Sequence, residues 1–152
     1  MNFYRIKAKA GHQSTGRYID IPVYVSARSI IEAIDSIKHM PMIKKSKNLP
    51  ATNLKIIQED EFVLGTITNQ YKKYLNYDIN EICNPLKQVS NRLRFVLKEY
   101  EFTTNEGKIL RDFCNNYNKA KGEDKEKVEN EYNNWALSLI KSAGIPDDAV
   151  GI

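Results

Sequence analysis

Hydrophobic and polar residues alternate twice near the start of the chain. In FYRIKAKA, residues 3–10, Tyr4, Ile6, Ala8 and Ala10 share one strand face, while Phe3, Arg5, Lys7 and Lys9 share the other. In YIDIPVYV, residues 18–25, Ile19, Ile21, Val23 and Val25 face one way; Tyr18, Asp20, Pro22 and Tyr24 face the other. The residues between hold Gly11 and Gly16 and predict a hairpin loop. Pro22 has no N–H to give to a ladder, so the second strand is expected at a sheet edge.

After Ser26, which reads as an N-cap, the period becomes helical. Ile30, Ile31, Ile34 and Ile37 form the expected apolar face, Lys38 and His39 sit in the last turn, and Pro41 ends the helix. NLKIIQ, residues 53–58, predicts a third strand. Crossing over from the second strand would put it beside the first, leaving the first strand central and the helix over its apolar face. This strand–strand–helix–strand order resembles half of a ferredoxin-like sandwich and several small ribosomal and RNA-binding modules. The likeness is one of topology, covers about 58 residues and carries no functional residues with it.

From Glu59 the apolar spacing is helical. Phe62, Val63, Ile67, Tyr71, Tyr74 and Leu75 mark one helix, to about Asn76. Asn84 and Pro85 open the next, in which Leu86, Val89, Leu93, Val96 and Tyr100 repeat at +3 and +4; Ile79 and Ile82 extend that rhythm backwards. Thr103 to Glu106 resembles a capping box before Ile109, Leu110, Phe113 and Tyr117. Gly122 breaks that helix. The last carries Val128, Tyr132, Trp135, Leu139 and Ile140 and stops at Gly144 and Pro146. The pattern predicts an α+β protein: a basic β-β-α-β subdomain over residues 1–58, then a helical subdomain of about four helices over 59–152, separate or packed as one domain.

Charge sharpens this division. Residues 1–58 hold ten Lys and Arg against three acids, a balance of +7; residues 59–152 balance at −3. A basic section invites a polyanion or an acidic protein surface, and the acidic helical half of the same chain is one such surface. No apolar run approaches the roughly 18 residues that would cross a bilayer, and the charged start lacks a secretory pattern. A cytoplasmic protein without membrane contact is expected, with Cys83 and Cys114 as reduced structural thiols.

Candidate chemistry is thin. AGHQSTGRY, residues 10–18, comes close to a phosphate loop, but that loop needs a helix after it, a Lys where Arg17 stands and a Ser or Thr where Tyr18 stands. His12 with Ser14 and Thr15 lacks an orienting third group. His39 reads as a helix C-terminal residue, and two separated cysteines with two separated histidines form no metal set. The Glu59–Asp60–Glu61 triplet reads as helix N-terminal charge. No catalytic residue, metal or cofactor is assigned.

What remains is a basic, aromatic sheet face. Arg5, Lys7 and Lys9 would protrude from the central strand near Phe3, Tyr18 and Tyr24, with His12, Arg17, Lys44, Lys45 and Lys47 extending the patch from loops. Cations interleaved with aromatics supply phosphate contacts and stacking surfaces. The expected function is non-enzymatic binding of nucleic acid or a nucleoprotein. A regulator or inhibitor working through a protein interface is the alternative, with helix 85–102 and the surface around Trp135 offered to a partner or to a second copy as a homodimer. A nuclease or transferase using His12 or His39 comes third.

Overall fold

A computed structural model of the protein describes residues 1–13, 17–39, 51–71 and 84–145; for 9–13, 17–20 and 51–53 the backbone alone is described. The fold is α+β, as the patterning predicts. Strand β1 (Asn2–Gln13) lies between β2 (Arg17–Ala27) and β3 (Ala51–Ile57) and is antiparallel to both. The central place of β1 and the edge place of the proline-bearing β2 both follow the expectation, with Pro22 opposite Lys7.

Helix α1 (Ile30–Lys38) covers one face of the sheet, where Tyr4, Ile6, Ala8, Val23 and Val25 pack with its Ala33 and Ile37. Two sequence expectations change here. The cap is Ser29, whose hydroxyl accepts from the Glu32 N–H at 3.2 Å, because β2 continues past Ser26 to pair Ala27 with Asn2. The helix also docks through Ala33 and Ile37, four residues apart, so Ile31 turns about 140° away from the docking line and is 81% exposed.

Helix α2 (Glu59–Gln70) crosses the other sheet face and is buried on almost every side. Its polar stretch, which by composition should be solvated, is held in part by bonds to its neighbours, while among the described residues Thr66 Oγ1 and Asn69 Oδ1 are buried without a hydrogen-bond partner. Asn69 Nδ2 donates to the Pro22 carbonyl at 2.9 Å, Gln70 Nε2 to the Pro85 carbonyl at 2.6 Å, and Gln70 Oε1 accepts from the Tyr132 hydroxyl. Buried polar groups persist when paired in this way.

Around α2 gather α3 (Pro85–Arg92), α4 (Arg94–Glu99), α5 (Asn105–Lys119) and α6 (Glu123–Ser142). The single helix expected over 85–102 is broken at Leu93, yet Leu86, Val89, Leu93 and Val96 are all buried in one core. Those four side chains are covered inside the chain and are not free to form a seam with a second copy; Ile79 and Ile82 lie outside the described residues. Trp135 is likewise half-buried, packed against Phe113 and Tyr132. The cap of α5 is Thr104, one residue later than expected, and accepts from the Gly107 N–H at 3.1 Å.

Thr103 and Thr104 also have a second role. With Tyr100 they surround the Glu59 carboxylate, which is 6% exposed and accepts from both threonine N–H groups, both threonine hydroxyls and the Tyr100 hydroxyl. Burial works to raise the Glu59 carboxyl, but these bonds outweigh it and hold it at about 2. Phe3 joins the same region. It was expected on the open basic face, but it is buried, stacked on Phe62 with centroids 4.3 Å apart and edge-on to Tyr100. The sheet and the helices therefore share a core across that face.

Candidate nucleic-acid interface

The sheet register decides which cations meet. Arg5 stands between Tyr24 of β2 and Lys55 of β3; one step along, Lys7 stands between Pro22 and Thr52; next, Lys9 pairs with Asp20. Side chains of directly paired residues share a face, so Lys55, Arg5 and Tyr24 form a row about 10 Å wide, two strand spacings. The register slips between Arg5 and Lys7 on the β3 side, where an extra β3 residue is accommodated.

Helix α2 covers only part of this face. Gly65 meets the Tyr24 ring: a Cβ there would fall 2.3–2.5 Å from Cζ, Cε1 and Cε2. Glu61 accepts from Arg5 Nη1 at 2.9 Å. Beyond that contact the surface opens into a cleft of 470 Å³ lined by Arg5, Lys7, Pro22, Tyr24 and Lys55. Lys7 and Lys55 are exposed, and among the described residues neither is paired with a carboxylate. Burial raises the Tyr24 hydroxyl above its ordinary range; the Glu61 carboxylate adds to this and Arg5 opposes it. The phenol stays neutral at physiological pH.

Among the described residues the acidic half thus meets the basic strip through Glu61 and leaves Lys7 and Lys55 exposed. A second pair, Arg28 to Glu99 at 2.5 Å, joins the end of β2 to α4 in the same sense. Of the residues expected at the site, Arg5, Lys7 and Tyr24 come together in the cleft, Arg5 with its charge already shared. Lys9, His12, Arg17 and Tyr18 belong to the same hairpin by backbone, while their side chains lie outside the description. Lys44, Lys45 and Lys47 lie outside the described residues. Lys55 was missed. Its charge was visible, but only the β1–β3 register puts it next to Arg5.

Compared with known proteins, the chain matches no family model, no curated sequence and no solved structure.

The cleft's own chemistry is simple. Among the described residues its lining holds three cations, a neutral phenol and a proline, with no histidine, cysteine or serine to act as nucleophile or base. His39 caps α1 at the surface, its Nδ1 2.8 Å from the Asp35 carbonyl oxygen. Cys114 is buried, and burial pushes its thiol up to about 12. Arg17 begins no helix; it lies in β2, so the strand that a phosphate loop forbids does follow the glycine pair. Among the described residues no three His, Cys, Asp or Glu side chains gather as metal ligands would, and no helix is long and apolar enough to cross a membrane.

Proposed function

We propose that the protein binds nucleic acid without enzymatic turnover, using the cleft on the open strip of the sheet beside α2. The observation that carries this reading is the convergence of Arg5, Lys7 and Lys55 beside Tyr24 in one concave surface, with the two lysines free of carboxylate partners among the described residues. Three cations within a few strand spacings suit a polymer of phosphates better than a single small anion, and the hairpin carrying Lys9, His12 and Arg17 continues from the same strands.

The test is a salt titration of oligonucleotide binding. Contact with about three phosphates predicts a log–log slope near −2 for a single strand. Lys7→Glu with Lys55→Glu should abolish binding while leaving the fold intact, since both side chains are exposed. A salt-independent affinity, or binding that survives the double reversal, would refute the reading.

Phe95 favours a second reading. It is 66% exposed on α4, with the Arg94 guanidinium 5.7 Å from its ring centre. An aromatic set out in solvent beside an arginine suits a protein interface. That reading, a regulator acting on another protein, predicts a partner that co-purifies through nuclease treatment and moderate salt and is lost in Phe95→Ala.

A further inference from the structure

We infer that the cleft selects a single strand over a duplex, one base lying on the Tyr24 ring while neighbouring phosphates meet Lys7 and Lys55. The inference rests on the nucleic-acid reading above and deepens it by naming the form of the ligand.

The argument begins with the position of the ring. A Cβ at Gly65 would lie almost equally far from three atoms at the phenol end, 2.3 Å from Cζ, 2.4 Å from Cε2 and 2.5 Å from Cε1. Near-equal distances of this kind put Gly65 against the ring's flat side. The helix backbone backs the ring there, and the same half-buried ring lines the cleft. A tyrosine fixed from behind needs no further ordering to receive a base, so stacking on it carries little entropic cost.

The cations lie at positions that a single strand can use. Lys55 is two strands from Tyr24 across the sheet, about 10 Å away, and Lys7 is one strand over and about 7 Å along. Both are exposed, so their ammonium groups can reach phosphates on either side of a stacked base. Arg5, between Lys55 and Tyr24, is held by Glu61 at the foot of the α2 wall.

A duplex meets this geometry poorly. Helix α2 rises over β2, and a helix with its side chains is about 10 Å across. Tyr24 and Arg5 lie at the base of that wall. The bases of a duplex are stacked and paired inside it, so only its phosphates could touch the outlying lysines. Offering a base to Tyr24 would require unpairing, which a single strand avoids.

The experiment is fluorescence anisotropy on the full chain with an end-labelled single-stranded oligonucleotide of mixed sequence, beside the same sequence annealed to its complement. The expected result is single-strand binding on the order of tenfold tighter than duplex binding, a ratio set by one stacked base. Tyr24→Leu should remove most of that ratio by weakening the single strand alone, and Tyr24→Phe should keep it. Because Tyr24 packs on α2, both variants are checked by circular dichroism and thermal melting; the wild-type ratio tests the inference even if Tyr24→Leu fails to fold. Equal binding of both forms, still lost in Lys7→Glu/Lys55→Glu, overturns the single-strand inference and leaves the nucleic-acid reading standing. Binding of neither form overturns both.

Discussion

Glu59 shows how far a single residue departs from its local pattern. By sequence it is one of three acids at a helix start, and such charge ordinarily faces water. In the fold it enters the gap between α2 and α5 and satisfies two N–H groups and three hydroxyls. With its carboxyl held at about 2 and the unfolded value near 4.5, the stabilisation is complete above about pH 5 and is lost as pH falls from about 4.5 towards 2. The shift corresponds to about 3 kcal/mol. Urea midpoints measured across pH 2–6 should decline steeply in the wild type and much less in Glu59→Gln, which should itself be destabilised near neutrality by an amount of that order. Gly65 offers a second test at this scale. Gly65→Ala forces the Tyr24 ring aside, and overpacking of this kind costs about 1–2 kcal/mol, more than the alanine gains in helix propensity. A thermal melt would show the loss, and oligonucleotide affinity should fall with it because the displaced ring moves into the cleft.

At the scale of elements, α2 carries most of the organisation. It touches the sheet through Gly65 and Asn69 and the other helices through Gln70 and Tyr71, the latter donating to Asn133 Oδ1 at 2.8 Å. Gln70→Ala strands the Tyr132 hydroxyl and the Pro85 carbonyl together, and should cost about 2–3 kcal/mol in denaturant unfolding. The helix also sets the site's charge through Glu61. Glu61→Gln removes the carboxylate that occupies Arg5, and polyanion binding should tighten about two- to fivefold at low salt; unchanged affinity would show that Arg5 takes no part. Helices and strands were legible because a period of two or of 3.6 records burial directly. Ends were less so: Ser26 and Thr103 are good capping residues, but strand pairing claims Ser26 and the cap moves to Ser29, and at α5 the cap is Thr104, one residue beyond Thr103. The burial of Asn69 and Gln70 was not legible, because their partners, the Pro22 and Pro85 carbonyls and the Tyr132 hydroxyl, are distant in sequence.

For the whole molecule, the charge division between residues 1–58 and 59–152 is real in sequence, and packing crosses it. Phe3, Tyr24 and Ile57 pack into the same core as the helices, and Arg5–Glu61 and Arg28–Glu99 draw the two halves together. The sheet face was legible as basic. Its division into a covered end at Phe3 and an open strip at Lys7 and Lys55 was not, since it follows from where α2 crosses, and no periodicity encodes that. The central claim is that this open strip is the binding surface. The most direct measurement is an amide chemical-shift titration of the labelled protein with a short single-stranded oligonucleotide. The account predicts salt-sensitive shifts concentrated at Arg5, Lys7, Tyr24 and Lys55 and at the Gly65 amide behind the ring. Shifts confined to α4 around Phe95, or none at all, would contradict it.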